Sequence, residues 1–568
     1  MQKIVSKSGF KLFFDFVIRF IFLSILATVI AILGKPVFGT TDDNILAGFV
    51  DGSYTGERES KLIFIRPLIG TTLNIFQELL PNLGVYSIFL LVLLIVSFSN
   101  FGTIISIRSG DSFSKQILNY LWLLVSTPII AWFTLSPTYT AASMLITLVN
   151  LMSLVVLIFS RNMRKLMFIT VFTTILFSFG FLIRPEGGIG IMLVSIPVIF
   201  LIYLQQRNVS LPKLLIAIFS LLIVLGLDVI IQSNLNNSDW KEYDNWNNLR
   251  HQVQHRESQN YLGQLQKVNG WTESETNLFM TIAFGDEKTF NAEWLKPAFD
   301  STSFTRGVSG VINANILEVL GKMFKIFENY PYIIVVQFLI FLVMLNFFQI
   351  NVLGKLKVFF MIHLTIVAAL YYMSATLHTP ERGVIPLLYV STLILITNML
   401  FFKRKESLKI THVRIFCLGV VVLSVLSPNG ILETRSKNIL NTELAVLASR
   451  ELVEFNKDAI YFGPGNSEFY EYRNPYTNLA YWNTPVMITA GNWETFSPHW
   501  KKRLRVNGID QTSIYDELFK ENRFWFSNPI PDTSYMVELY LREQGLKDFS
   551  RQGALDMKSG YGLFQFTQ

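Results

Sequence analysis

Two adjacent carboxylates, Asp42 and Asp43, lie in the polar segment GTTDDNILAGFVDGSYTG, which follows the first long apolar run of the chain. A carboxylate beside a bound hydroxyl can accept its proton as the oxygen attacks, which contributes roughly 10² to 10⁴-fold to a rate. The pair also fits a helix N-terminus, where acidic side chains interact favourably with the helix dipole. We expect a functional role for at least one aspartate, with Asp43 favoured as the base and Asp42 orienting the acceptor or the other carboxylate.

Arginines at the ends of other apolar runs could supply the complementary charge. Arg184 lies in FLIRPEGG, Arg382 in HTPERG, and Arg66 in KLIFIRPLIG. The planar guanidinium matches the oxygens of a phosphate and keeps its charge at all relevant pH values. We therefore predict that these arginines hold a departing phosphate. As an alternative, Arg184 and Arg382 pair with Glu186 and Glu381 or with lipid headgroups.

A third group of polar and aromatic side chains could contact a sugar. Aromatic faces pack on sugar rings, and charged or amide groups hydrogen-bond to hydroxyls. The candidate sugar- or acceptor-binding residues are Glu186, Trp240, Tyr243, Trp246 and Arg250. An ordinary helical hairpin with a few aromatic core residues explains the last four at least as well.

The composition places these residues in a membrane protein. The chain has 568 residues, of which 51% are hydrophobic and 16% charged, and its mean hydropathy is +0.40. Such values indicate a polytopic membrane protein. The net charge of +7 comes mostly from short basic clusters between apolar runs, so it indicates topology and not a nucleic-acid partner. Cys417 is the single cysteine, which excludes an intrachain disulfide.

Eleven stretches of the chain are apolar enough to cross the hydrocarbon layer, which takes about 20 residues. They lie near residues 12–34, 84–106, 116–135, 138–160, 165–183, 188–205, 213–232, 331–349, 357–376, 384–402 and 411–428. The first has no clear cleavage site, and we expect it to be retained as a span.

The basic clusters predict the orientation of these spans. With eleven spans, all the basic clusters fall on the same side of the membrane. Because cytoplasmic loops tend to be positively charged, we take that side to be the cytoplasm. The N-terminus is then cytoplasmic, and three large segments lie outside, at 35–83, 233–330 and 429–568. Within the first segment we expect Ile69–Leu80 to form an amphipathic helix on the membrane surface. In the alternative this helix is a twelfth span, which would invert everything after it.

The last segment loses the membrane composition. We divide the chain into a membrane domain, 1–428, with outer loops 35–83 and 233–330, and a soluble α/β domain, 429–568. Strands are predicted at AIYFG, VMIT, RFWFSN and YGLFQFTQ, and helices at ELAVLASRELVEF and Thr533–Leu546. The segment has no phosphate-binding glycine loop and no metal-ligand spacing, which favours binding or positioning over catalysis.

The chain resembles the GT-C superfamily of multispanning glycosyltransferases, and within it the bacterial GtrII-type glucosyltransferases. The resemblance rests on the pair in GTTDD after the first span, the interfacial helix that follows, the arginines of LIRPE and TPERG, and the C-terminal soluble domain. It implies a helical GT-C fold, an undecaprenyl-phosphate-linked sugar donor and inversion at the anomeric carbon. It leaves sugar identity and metal use open, so a divalent metal is possible and no cofactor is certain.

The expected function is therefore transfer of a sugar from a polyprenyl-phosphate donor to a glycan or lipid-linked acceptor outside a bacterial plasma membrane. A polysaccharide polymerase or ligase is the nearest alternative, although that class relies mainly on arginines and seldom ends in a long soluble domain. A flippase for a lipid-linked precursor is the third. Transporters often carry internal repeats and broken helices at mid-membrane, and the sequence has no clear duplication.

Overall fold

The computed structural model describes residues 2–568 except 110–111, 161–166, 207–208, 255–265, 267–269, 303–315, 331–336, 339–351, 377–380, 402–430, 466–472, 478–485, 510–512 and 528–531. The helices that carry most of the described residues are α1 (Gln2–Gly34), α2 (Thr41–Asp51), α3 (Pro67–Leu79), α4 (Val85–Arg108), α5 (Ser112–Leu135), α6 (Tyr139–Ile158), α7 (Met167–Ile183), α8 (Pro185–Gln206), α9 (Leu211–Leu235), α10 (Ser238–Gln254), α11 (Glu273–Met280), α12 (Ala292–Thr302), α13 (Ile316–Asn329), α14 (Val352–Thr376), α15 (Glu381–Met399), α16 (Ile431–Asn456), α17 (Pro498–Val506) and α18 (Thr533–Glu543). The strands are β1 (Ile460–Gly463), β2 (Val486–Thr489), β3 (Arg523–Ser527), β4 (Ser550–Asp556) and β5 (Gly562–Thr567).

The described residues include seven helices that are long and apolar enough to cross a membrane, in α1, α4, α5, α6, α8, α9 and α15. Shorter apolar helices at Met167–Ile183 and Phe359–Ser374 match two more predicted stretches. The stretches at 331–349 and 411–428 lie almost wholly outside the described residues. The prediction of a helical, multi-pass membrane protein is confirmed.

Buried polar contacts and small residues hold the central helices together. Asn100 of α4 donates to Thr173 of α7 at 2.9 Å, and Asn150 of α6 donates to Ser97 of α4 at 2.8 Å. At Gly180 in α7, a Cβ atom would lie 2.7 Å from a backbone nitrogen of α6. Small residues of this kind let helix backbones approach closely in a membrane, and α4, α6 and α7 are therefore closely packed against one another.

Helix α3 corresponds to the predicted interfacial helix. It has 13 residues, fewer than the ~20 needed to cross the hydrocarbon layer, so the alternative of a twelfth span is wrong. Ile69 and Leu73 are fully buried on one side, whereas Ile75, Phe76 and Leu79 are exposed. An exposed apolar face on a short helix beside membrane spans is typical of an interfacial helix.

The C-terminal segment contains a five-stranded sheet in the order β2-β1-β3-β5-β4. Strand β1 runs parallel to β2 and β3, while β5 is antiparallel to β3 and β4. The four predicted strands and two predicted helices are all present, so the α/β prediction is confirmed. The sequence did not predict β4, whose residues SRQGALD are mostly polar and poor in β-branched side chains.

The α/β domain shares its hydrophobic core with the segment predicted as an outer loop of the membrane domain. Trp246, Phe284 and Phe290 belong to the same buried cluster as Trp500 and Trp525. A backbone bond from Gly465 to Ile282, 2.7 Å long, also joins the two parts of the chain. By packing, the described residues between 240 and 299 and the α/β domain therefore form one folded unit. Val319, Met323 and Ile326 of α13 belong instead to the core of the membrane helices.

This folded unit contacts one end of the membrane helices. Arg435 donates to the Leu33 carbonyl at the end of α1, and Asn438 to the Leu135 carbonyl at the end of α5. Gly84, just before α4, bonds to the Tyr476 carbonyl. We call this end of the helices the docking side, and it is where the first polar segment also lies.

Candidate functional site

Helix α2 places both aspartates in its first turn, on the docking side. Thr40 is the N-cap, with an extended backbone and a hydroxyl that accepts from the Asp43 amide. The helix ends at Gly52, whose φ of 85° is a left-handed conformation that glycine adopts without a Cβ clash. The two aspartates therefore lie at a helix N-terminus, as the sequence predicted. The contacts of their side chains differ.

Asp43 is fully buried, and both carboxylate oxygens are occupied. Oδ1 accepts from the Tyr86 hydroxyl at 2.8 Å and from the Tyr139 amide at 2.7 Å. Oδ2 accepts from the Thr40 hydroxyl at 2.6 Å. Burial raises the pKa of Asp43 to about 6, and the three donors oppose that rise by stabilising the carboxylate. Asp43 thus ties α2 to α4 and α6.

Asp42 is partly open to solvent and makes two charged or polar contacts. Arg382 Nη1 donates to Oδ2 at 2.9 Å, and Trp493 Nε1 donates to Oδ1 at 2.7 Å. The side chains of Asp42 and Arg382 are 19% and 25% exposed. A carboxylate has about four acceptor positions, so Asp42 can still accept a proton from a further group.

Arg382 lies in the first turn of α15, where the helix dipole disfavours a cation. Asp42 compensates this placement with its charge. The same position, with a guanidinium beside the amide groups of a helix N-terminus, suits an incoming anion. The residues HTP that precede Glu381 lie outside the described residues, as does the Glu381 side chain.

Arg184 occupies the break between α7 and α8, where Pro185 starts the second helix. Its Nη1 donates to the Tyr139 hydroxyl at 2.9 Å and to the Thr140 hydroxyl at 2.6 Å. Its guanidinium also lies over the rings of Phe64 and Tyr139. The carboxylate of Glu186 is 4.0 Å away and 79% exposed, so this ion pair is weak and Arg184 can turn toward a ligand.

Tyr139 joins the charged residues, and the sequence analysis missed it. Its amide donates to Asp43, and its hydroxyl accepts from Arg184. Its ring also stacks on Phe64, which packs against Trp493, the donor to Asp42. The only sequence signal for it is the segment SPTYT at the start of α6, where a tyrosine follows a helix N-cap at the end of a span. Such a tyrosine is common in membrane proteins and does not by itself indicate a site.

Arg66 makes a different set of contacts from the other two arginines. It pairs with Asp228 at 2.7 Å and donates to Gln232, both on α9. Asp228 is buried, and its other oxygen accepts from the Leu68 amide at 3.0 Å. These contacts join the start of α3 to α9, and the structure gives Arg66 no hydrogen bond to either aspartate of α2.

The four candidate sugar-binding residues of α10 are buried. Trp240 packs against His499, and Trp246 donates to the Phe290 carbonyl. Tyr243 donates to the Trp493 carbonyl, and Arg250 bonds to Asn247 and Gln254. This packing matches the alternative of aromatic core residues. A sugar could reach these side chains only if the α/β domain moved.

The described residues therefore bring Asp42, Arg382 and Arg184 to one end of the helices, around Tyr139. The arrangement offers the partly exposed carboxylate of Asp42, the more exposed one of Glu186 beside Arg184, and two arginines that are about one quarter exposed. No group of three or more His, Cys, Asp or Glu side chains suited to a metal occurs in the part of the chain that the structure describes.

Trp493 was also missed by the sequence analysis, because nothing in AGNWETF relates it to a residue in the first loop.

Comparisons with known proteins add one structural likeness. The crystal structure of ArnT from Cupriavidus metallidurans in the apo state aligns with 98% of this chain and 98% of its own, at 12% sequence identity and a TM-score of 0.40. No protein-family model matches the chain, and no curated protein matches it significantly. The chemistry of the site therefore rests on its own residues and contacts.

Proposed function

We propose that this protein is a GT-C-like glycosyltransferase that moves one sugar from an undecaprenyl-phosphate-linked donor to a hydroxyl of a glycan or lipid-linked acceptor. The acceptor oxygen bonds to the anomeric carbon as the bond from that carbon to the phosphate oxygen breaks. The hydroxyl proton passes to Asp42, and the lipid phosphate leaves with the electron pair. Attack opposite the phosphate inverts the anomeric carbon.

The observation that carries this proposal is the placement of Asp42, Arg382 and Arg184 near Tyr139, at the membrane end that faces the α/β domain: Arg382 bonds to Asp42, Arg184 bonds to the Tyr139 hydroxyl, and the Tyr139 amide bonds to the neighbouring Asp43. A base and cationic phosphate ligands are what the reaction needs, because negative charge develops on the departing phosphate. Arg382 would release Asp42 in part as the phosphate binds, which frees the carboxylate for the acceptor.

Within the pair, the burial of Asp43 favours Asp42 as the base, which reverses the preference drawn from the sequence. Asp43 would hold α2 in place through Tyr86, Thr40 and the Tyr139 amide. Arg184 and Arg382 would bind the donor phosphate. Arg66 would instead have a structural role, because it forms an ion pair with Asp228.

A matched pair of variants tests the base. Asp42→Asn is expected to lower sugar transfer by roughly 10² to 10⁴-fold at an unchanged protein level, because an amide cannot accept the proton. Asp51→Asn, at the other end of α2, is the control and is expected to retain transfer. The assay uses a panel of radiolabelled undecaprenyl-phosphate hexoses and pentoses, with membranes of a deletion strain as acceptor.

Full transfer by folded Asp42→Asn protein would rule out Asp42 as the base. Glycan analysis of the deletion strain separates the competing functions. Loss of one side-branch sugar at unchanged chain length supports the transferase. Collapse of chain length would instead indicate a polymerase or ligase, and accumulation of an intact lipid-linked precursor on the cytoplasmic face would indicate a flippase. We also propose the plasma membrane of a bacterium as the location, with the α/β domain outside.

A further inference from the structure

The loop after β2 brings Trp493 from the α/β domain onto the Asp42 carboxylate. The indole is 4% exposed and packs edge-on against Phe49 of α2 and against Phe64. Its Nε1 is 2.7 Å from Asp42 Oδ1. Arg382 holds the other oxygen, so each oxygen of this carboxylate has a donor from a different, distant part of the chain.

Contacts on both sides of Trp493 fix the loop. The Asn492 side chain accepts from the Trp493 amide at 2.8 Å, and Tyr243 donates to the Trp493 carbonyl. Gly491 lies so close to the outer segment that a Cβ there would be 2.5 Å from the Ile282 backbone. The backbone on both sides of the indole therefore packs between the described part of 233–330 and the sheet.

Backbone strain occurs three residues further on. Phe496 has a φ of 65°, a left-handed conformation that is unfavourable for an aromatic residue. Its ring packs against Trp246 and Trp500. Conformations of this kind persist only where the surroundings enforce them, and they are common next to functional sites.

We propose that Trp493 is a positioning residue for sugar transfer, through which the α/β domain sets the orientation of the Asp42 carboxylate. The inference rests on the proposed role of Asp42 and adds a role for the C-terminal domain. A hydrogen bond to one oxygen fixes the carboxylate plane and directs the remaining lone pairs of Asp42. A base must lie within hydrogen-bond reach of the proton it accepts, at about 2.6–3.2 Å, so loss of this restraint slows proton transfer more than donor binding.

Two tryptophan variants separate positioning from packing. Trp493→Phe removes the N–H donor and keeps an aromatic ring. Trp500→Phe is the control, because Trp500 is buried in the same segment and donates its N–H at 2.9 Å to the Thr489 carbonyl, away from Asp42. Both variants lose one buried indole donor, so their melting temperatures are expected to fall by similar amounts.

The expected result is a kcat for Trp493→Phe that is about 10- to 100-fold below wild type, as for loss of a hydrogen bond to a charged group. The KM for the donor is expected to stay within about threefold, because loss of an interaction made mainly in the transition state lowers kcat. Trp500→Phe is expected to keep its kcat. Binding of undecaprenyl phosphate alone, measured in lipid nanodiscs, is expected to match wild type in both variants.

Equal kcat values in the two tryptophan variants, with Asp42→Asn inactive, would overturn the inference and leave the proposed function intact. Full activity of Asp42→Asn would overturn the assignment of the base and the inference together. Within a double-variant cycle, Trp493→Phe is expected to cause no further loss once Asp42 is Asn. A full additional loss in that background would show that Trp493 acts independently of Asp42, and the inference would fail.

Discussion

Asp42 and Asp43 have the same side chain, yet they differ in almost every contact. Adjacent residues on a helix point about 100° apart, so one faces the helix bundle and the other the α/β domain. Asp43 contacts Tyr86 and Thr40, whereas Asp42 contacts Arg382 and Trp493. The sequence identified the pair and the helix start. It could not give the rotation of α2, which depends on tertiary packing.

Glu494, next to Trp493, is a second buried carboxyl near the site. Oε1 accepts from the Thr489 hydroxyl at 2.6 Å, and Oε2 is buried without a hydrogen-bond partner among the described residues. Burial raises the pKa of Glu494 to about 7. The folded state therefore holds this proton more tightly than the unfolded state, whose carboxyl titrates near 4.5.

The pH dependence of stability follows from that difference. Because the folded pKa is the higher one, the stabilising contribution is complete below about pH 4.5 and is lost as the pH rises toward 7. Glu494→Gln removes the titration, so its melting temperature relative to wild type is expected to be higher at pH 8 than at pH 5. Glu454→Gln, at an exposed position on α16, is the control. An identical difference at both pH values would contradict this prediction.

At the scale of elements, the membrane helices and most strands could be predicted from the sequence because their signals are local. Runs of about 20 apolar residues identify spans, and short β-rich runs between turn residues identify strands. The pairing of elements depends on contacts distant in sequence. Arg66 illustrates this: the sequence analysis predicted it as a phosphate ligand, and only the structure pairs it with Asp228 of α9, which lies 162 residues further along the chain.

Removing one partner of this pair tests its structural role. Asp228→Asn is expected to lower the melting temperature, since breaking a buried pair costs roughly 3–5 kcal/mol and the one-third exposure of Arg66 reduces that figure. Transfer per folded molecule is expected to remain near wild type. Asp239→Asn, exposed at the start of α10, is the control. A variant with normal stability and no transfer would instead place Arg66 at the donor.

At the scale of the whole molecule, the shared core sets the folding unit. The sequence predicted a boundary at residue 428, because composition changes there and hydropathy separates membrane from water. It could not show that Trp246 and Phe290 pack with Trp525. Burial of apolar surface is non-directional, so composition alone does not say which aromatic residues share a core.

A core substitution tests whether the outer segment and the sheet share one hydrophobic core. Trp525→Ala, at a fully buried position in β3, is expected to cost about 3–5 kcal/mol of local stability. Hydrogen exchange is expected to accelerate in the described part of 238–302 as well as in the sheet, because both parts lose the same packing. Leu440→Ala, exposed on α16, is expected to change neither region. Acceleration restricted to residues after 456 would contradict a shared core.

The long sequence separation of the Asp42 contacts also has a consequence in time. Arg382 follows Asp42 by 340 residues and Trp493 follows it by 451. At synthesis rates of about 5–20 residues per second, the second interval takes roughly 20 to 90 seconds. During that interval the ribosome has already made both aspartates but not the indole. Arg382 and then Trp493 become available to the carboxylate in that order, so its hydrogen-bond set can be complete only after residue 493 has been made.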